Sequence, residues 1–308
     1  MIQSKDITIG YSSKKIGPIN HELKEGALQI LIGKNGAGKS TFLKSILGIL
    51  PVIGGEIRLD NKKIVDLSAT ERADQIAYVA SVNPHISHIT VTDLLNINPS
   101  NKAITGEHLK PIAKQLGIEH LLNKYLDELS DGELQKAYIA RAFAQNTKYI
   151  LLDEPASHLD IKAKLEIFLI LKELAHHHNK GILCSSHDLE LAVKIADQLV
   201  LLRDDEIISG APEDLILNGS IAKAFNSEKI GFNKKTGSFD LCLKHHKTIT
   251  FKADGNEAYW LEKALNRVGF NAKMEIHNPD ITVDNGYHYH GYHFTSIGEL
   301  LTLIKANG

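Results

Sequence analysis

An α/β fold is predicted by strands that alternate with helices and by a Gly-rich loop where an apolar strand gives way to a helix. A change of composition near residue 215 predicts a smaller α+β unit after it. The larger part reads as a mostly parallel sheet with crossover helices. The 308 residues suffice for about two domains at roughly 150 residues each. Lys and Arg number 35 against 37 Asp and Glu, a net charge of −2, so no global basic field exists to hold nucleic acid. No stretch approaches the roughly 18 apolar residues of a membrane span, and Met1–Asp6 lacks a signal-peptide core. Cys184 and Cys242 sit in apolar runs and are expected to be buried thiols of a reducing compartment. The expectation is a soluble, cytosolic chain.

Asp6–Tyr11 alternates as a strand, and Gly55–Ile64 reads as a hairpin turning at Asp60-Asn61. Between them the apolar run Ala27–Ile32 stops at the loop Gly33–Lys39, and a helical pattern covers Ser40–Leu50. A short strand, Ile76–Ala80, leads into a polar stretch and helical segments from about Thr92 to Lys124, punctuated by Pro84, Pro99 and Pro111. Helix Asp131–Gln145, buried strand Tyr149–Asp153, amphipathic helix Ile161–His178 and strand Ile182–Ser186 follow. A hairpin of Gln198–Arg203 and Glu206–Ser209 turns at Asp204-Asp205. Residues 1–215 are therefore expected to form one domain and 216–245, rich in Gly, Asn, Ser and Lys, a linker. Strand Thr248–Ala253, helix Asn256–Val268, strand Ala272–His277, hairpin Ile281–Phe294 and helix Ser296–Ala306 predict a βαββα accessory domain over 246–308. Ile297, Leu300, Leu301 and Ile304 give the last helix one buried face.

The run Gly33-Lys34-Asn35-Gly36-Ala37-Gly38-Lys39-Ser40 matches G-x-x-x-x-G-K-[ST] between a strand and a helix. Such a loop wraps a phosphate with backbone N–H groups, which side chains at the Gly positions would block. Lys39 then reaches the β- and γ-phosphates and the Ser40 hydroxyl ligates Mg²⁺, with Thr41 beside them among the nucleotide-binding residues. The strand Tyr149–Leu152 ends in Asp153 and Glu154. At that position Asp153 can orient Mg²⁺ and Glu154 can polarise an attacking water. Leu129-Ser130-Asp131-Gly132-Glu133 opens a helix, with Ser130 and Glu133 spaced as a capping box.

With these motifs in order the chain resembles the ATPase subunits of ABC transporters, whose signature is usually Leu-Ser-Gly-Gly-Gln. The variant Leu-Ser-Asp-Gly-Glu looks like the branch that imports iron chelates, haem and cobalamin. The resemblance covers about residues 2–215 and implies a P-loop cassette with an antiparallel β subdomain and a helical subdomain at about 82–145. It implies that Tyr11 stacks on adenine, and that Ser130, Asp131, Gly132 and Glu133 meet the γ-phosphate held by a second copy. Ser157-His158-Leu159-Asp160 resembles the D-loop that links the two ATP sites. Ser185-Ser186-His187-Asp188 resembles the switch region, which makes His187 the γ-phosphate sensor beside the catalytic Lys39 and Glu154. The family places Pro-Gln after Ile76-Ala77-Tyr78-Val79, where this chain has Ala80-Ser81. Ser81 is shorter and would reach the metal through a water; Asn83 is the other candidate for coupling.

The resemblance further implies a homodimer that sandwiches ATP, a separate polytopic permease met through about Asn83–Lys124, and an external substrate-binding protein. Such a subunit lies on the cytoplasmic face of the membrane, without nucleic acid. A non-transport ABC ATPase is the competing reading, although those chains generally carry two cassettes, a coiled coil or a basic face. Six of the sixteen histidines fall in the last 64 residues. His288, His290 and His293, with His277, read either as a metal set or as a solvated hairpin whose Tyr287, Tyr289 and Tyr292 pack instead. His176-His177-His178 ends a helix, where positive charge suits the dipole.

Overall fold

The computed structural model describes residues 1–11, 14–81, 88–97, 106–203, 206–243 and 247–307. Two compact units emerge: Met1–Phe225 with Asn233–Ser238, and Asn226–Phe232 with Phe239–Gly308. In chain order the first unit opens with β1 (Ile2–Tyr11), β2 (Lys14–Leu23), β3 (Leu28–Gly33), α1 (Lys39–Ile46), β4 (Gly54–Leu59) and β5 (Lys62–Lys63). Next come α2 (Ala69–Ala73), β6 (Ile76–Val79), α3 (Val91–Asn96), α4 (Gly106–Gln115) and α5 (Asp131–Ala144). It continues with β7 (Tyr149–Leu152), α6 (Ile161–His177), β8 (Gly181–Ser186), α7 (Leu189–Ile195), β9 (Gln198–Arg203), β10 (Glu206–Gly210), α8 (Pro212–Leu217) and α9 (Ser220–Phe225).

Six strands form a sheet in the order β10-β9-β3-β8-β7-β6, parallel throughout except for the hairpin partner β10. Every residue of β3, β7 and β8 is buried, and Leu31, Leu151 and Leu183 from these strands share one core with α1 and the antiparallel sheet. A second, antiparallel sheet runs β2-β1-β4-β5. The strand expected at Asp6–Tyr11 starts at Ile2, and its partner β2 carries no clear period because Gly17 and Pro18 interrupt it. Inward Ile2, Ile7, Ile9, Ile16 and Ile19 from this sheet join Phe42 and Ile46 of α1 in one core. The helices start where their caps stand: Ser68 with Glu71, Thr90 with Asp93 and Ser130 with Glu133 form capping boxes, and Asp160 and Asp188 cap α6 and α7.

Two expectations, on the linker and on the cysteines, need correction, and a third falls outside the described residues. Residues 216–225 continue the first unit, because α8 and α9 bury Leu215, Ile221 and Ala224; β11 (Ile230–Asn233) and β12 (Ser238–Leu241) occupy the rest of the supposed linker. Cys184 is buried within β8, but Cys242 is exposed just beyond the end of β12. The turn Asp204-Asp205 lies outside the described residues.

The second unit contains β13 (Lys247–Lys252), α10 (Gly255–Arg267), β14 (Phe270–Met274), β15 (Ile281–Val283), β16 (Tyr287–Tyr289), β17 (Tyr292–Phe294) and α11 (Ile297–Asn307). Its sheet order is β14-β13-β15-β16-β17. The expected single hairpin is a three-strand meander, so the unit is βαββββα. Two tight turns separate the strands, one with left-handed Asn285 and positive-φ Gly286, the other with left-handed His290 and Gly291. Phe251, Leu261, Leu265, Ile281, Leu300 and Ile304 form its core, each large apolar side chain contributing about 1.5–3 kcal/mol.

One buried polar group has a measurable consequence. His21 of β2 is buried, its Nε2 meets Gln29 Oε1 at 2.7 Å, and burial pushes its pKa from 6.5 down to about 4. Between those values the unfolded chain binds a proton that the folded chain refuses, so stability is lost as pH falls from about 6.5 toward 4. The loss totals on the order of 3 kcal/mol. Urea unfolding from pH 7 to pH 4 should show this slope, and His21→Gln should flatten it.

Candidate functional site

The loop after β3 holds its shape through glycines. Gly36 and Gly38 have φ of 72° and 108°, and a Cβ on Gly38 would lie 2.3 Å from Ile16 Cδ1. At Gly33 a Cβ would meet the Leu202 carbonyl at 2.8 Å. Phe42 N–H donates to Gly38 O at 2.9 Å, which begins α1 at the loop's end. The result is a cleft of about 310 Å³ lined by Asn35, Gly36, Gly38, Lys39, Ser40, Thr41, Glu154 and His187. Lys34 is exposed, and Ala37 is half-buried against the core.

Lys39 is only 5 % exposed and points back into its own loop, donating to Gly33 O at 3.0 Å and to Lys34 O at 3.5 Å. Burial lowers its pKa, and the charges of Glu154 and Asp153 oppose that shift. Its Nζ also stands 3.3 Å from His187 Nδ1 and 3.9 Å from Glu154 Oε1. An ammonium only donates, so His187 accepts at Nδ1 and carries its proton on Nε2, which lies 2.5 Å from Glu154 Oε1. Lys39, His187 and Glu154 thus form one polarised chain of donors and acceptors.

Strand order explains the meeting. β8 lies between β3 and β7, so the segment after β8 separates the loop after β3 from the carboxylates after β7. Ser185 donates its hydroxyl proton to Asp153 Oδ1 at 2.7 Å and accepts from Glu154 N–H at 2.8 Å. It orients both acids, a role missed in the sequence because a buried strand serine carries no spacing signal. Asp153 is buried and also donates its backbone N–H to Val79 O of β6. Beside it, burial together with the Asp153 charge pushes the Tyr78 hydroxyl up to about 12. Glu154 sits in left-handed backbone with φ 52°, an uncommon state for a non-glycine residue.

Other expected residues lie apart from this cleft's lining. Ser130 caps α5: its N–H and Oγ–H both donate to Glu133 Oε2 at 2.9 and 2.8 Å, and Asp131 is exposed beside them. Gly132 is half-buried, with Ala163 Cβ 3.4 Å from where its own Cβ would be. Ser157 donates to Glu154 O at 3.0 Å, and Asp160 accepts from Ala163 N–H as the cap of α6. Ser81 is exposed beyond β6. Tyr11 is placed only as the last residue of β1; its side chain, and residues 83–87, lie outside the described residues. His176 bonds Asp197 at 2.8 Å and His178 bonds Gln115 at 2.6 Å, so these side chains tie α6 to its neighbours. Of the His hairpin, only His288 and His293 face each other, and His290 is in the turn.

A groove of about 250 Å³, lined by Leu47, Ile49, Ala69, Arg72, Ala73, Ile76, Tyr78, Arg141 and Gln145, lies where α1, α2, β6 and α5 meet. Ile49 there is 60 % exposed. Tyr78 belongs both to this groove and to the surroundings of Asp153. Sequence patterning missed the groove because its residues come from four separate elements.

Residues 16–157 match the family described as ABC transporter, and residues 246–305 match the iron ABC transporter C-terminal domain. The chain is 36 % identical over 255 residues to an uncharacterized ABC transporter ATP-binding protein, MJ0873, of Methanocaldococcus jannaschii, covering 78 % of this chain and 87 % of that one. It is 32 % identical over 224 residues to the petrobactin import ATP-binding protein YclP of Bacillus subtilis, covering 70 % and 89 %. The dimeric structure of MJ0796, a bacterial ABC transporter cassette, superimposes with a TM-score of 0.61 at 28 % identity, covering 69 % and 99 %.

Ser185→Ala leaves the Glu154 N–H without its acceptor and Asp153 without a donor. Denaturant unfolding should show a loss of about 1–3 kcal/mol, whereas Ser186→Ala, whose hydroxyl accepts from Asp188 N–H, should lose less.

Proposed function

The chain belongs to the ABC transporter ATP-binding family, and on that premise we propose that it hydrolyses ATP to drive import of an iron chelate. The observation that carries the ATPase reading is the convergence of Lys39, His187 and Glu154 on the glycine-shaped cleft. Backbone N–H groups of the loop and Lys39 receive the phosphates, with Lys39 exchanging its carbonyl acceptors for phosphate oxygens. Glu154 takes a proton from the attacking water. His187, a donor through Nε2, stabilises charge on the transferred phosphoryl group.

The donor chemistry fits a hard divalent cation: a buried Asp153 carboxylate oriented by Ser185, and the Ser40 hydroxyl on the cleft wall. Among the described residues no three His, Cys, Asp or Glu side chains gather as a metal cluster, which suits an ion completed by phosphate oxygens and water. Bound Mg²⁺ supplies charge neutralisation, and Asp153 and Ser40 hold it.

Two copies meet head to tail, so that Ser130 and Gly132 at the exposed start of α5 face ATP held by the other copy. The dimeric MJ0796 cassette supports this pairing. Among the described residues no helix is long and apolar enough to cross a membrane, and a separate permease carries the solute. It docks across the segment 83–124 and the adjoining groove at Ile49, from which Tyr78 leads toward Asp153. The subunit therefore lies on the cytoplasmic face, with a substrate-binding protein outside. The C-terminal match and the petrobactin importer support iron chelates as cargo and take support from a non-transport ATPase.

Glu154→Gln should lower ATP turnover at least about a hundredfold while ATP binding persists and gel filtration shows an ATP-dependent dimer. Unchanged turnover would remove Glu154 as the base, and a persistent monomer would remove the sandwich. In the reconstituted complex, ferric siderophore presented with its binding protein should stimulate turnover. Ser81→Ala should weaken that stimulation more than basal activity; equal stimulation would exclude Ser81 from coupling.

A further inference from the structure

The hairpins of the second unit hold two histidines in an arrangement that ATP hydrolysis does not use. β16 and β17 are joined by His290-Gly291, both left-handed with φ of 47° and 82°, as a two-residue type I′ turn requires. Tyr289 and Tyr292 flank that turn as its hydrogen-bonded pair. By alternation, His288 and His293 form the next, non-hydrogen-bonded pair, where side chains approach most closely. Their ring centroids are 4.8 Å apart with planes at 53°.

Both rings are tied from behind by one loop. His288 Nε2 lies 3.1 Å from Asp284 O, and His293 Nε2 lies 3.2 Å from Asn285 O. A carbonyl only accepts, so each Nε2 carries the proton and each Nδ1 keeps its lone pair. Gly286 makes this arrangement possible, because a Cβ there would stand 2.4 Å from His293 Nε2. Anchoring the far N–H to a backbone carbonyl is how proteins orient histidine ligands and fix their tautomer.

We propose that His288 and His293 bind one divalent transition-metal ion, Zn²⁺ or Cu²⁺, through their Nδ1 atoms. Imidazole nitrogens about 2.0–2.1 Å from a shared ion stand roughly 3–3.4 Å apart, a spacing open to rings whose centroids are this close. Neutral nitrogen donors select such ions over Mg²⁺ and Ca²⁺. Among the described residues no third His, Cys, Asp or Glu completes the set, so water fills the remaining positions. The site stands independently of the reading as an importer ATPase.

Isothermal titration of the untagged full chain with Zn²⁺ should show a site of one ion per chain that weakens at least about tenfold in His288→Asn and in His293→Asn. His290→Asn, in the turn, should retain it. Substoichiometric Cu²⁺ should broaden the NMR ring signals of His288 and His293 first, a readout that a folding defect does not mimic. Wild-type Zn²⁺ affinity in the double variant, or broadening centred on other histidines, would overturn the proposal.

Discussion

The placement of β8 between β3 and β7 is the constraint on which the cleft depends. Had the strand bearing Asp153 and Glu154 paired directly with β3, no segment would stand between the carboxylates and Lys39. The intervening strand instead delivers Ser185 to both acids and His187 to the gap between Lys39 and Glu154. Parallel pairing places the ends of all three strands on one edge, where the loop after β3 and the N-terminus of α1 also lie. One pairing choice thus assembles a cation, two acids and an imidazole contributed by residues 39 to 187.

Around that edge the burial of polar groups is matched by partners. Lys39 is buried, yet its ammonium has carbonyl acceptors and two carboxylates nearby, which offset desolvation. Glu154 occupies an unfavourable backbone conformation, held by Ser185 on its N–H and by Ser157 on its carbonyl. Tyr78 connects the buried Asp153 with an apolar groove.

The second unit divides its hairpin by the strand period of two. Tyr287, Tyr289 and Phe294 pack against Phe251, Leu261 and Ile304, while His288 and His293 take the opposite face. The sequence offered a metal set and a tyrosine-packed hairpin as rivals; Tyr287 and Tyr289 do pack, whereas Tyr292 is 61 % exposed, and His288 and His293 pair on the other face. His290 falls out of the pattern because the turn needs left-handed backbone at that position.

Much of the site was legible without coordinates. The run Gly33–Ser40, the strand ending at Asp153-Glu154 and the Ser130–Glu133 cap are local signals, because φ > 0, apolar runs and i to i+3 capping act between near neighbours in the chain. Helix and strand positions in residues 131–203 followed for the same reason. The strand β2, broken by Gly17 and Pro18, and the short helices α8 and α9 within a polar stretch were obscured because their burial is set by distant partners. So were Ser185, the Tyr78 groove and the exposure of Cys242. Local chemistry determined which residues shape the glycine loop and its lysine. The tertiary structure alone decided that His187 lies between Lys39 and Glu154, because strand order is chosen by pairing and packing over more than a hundred residues.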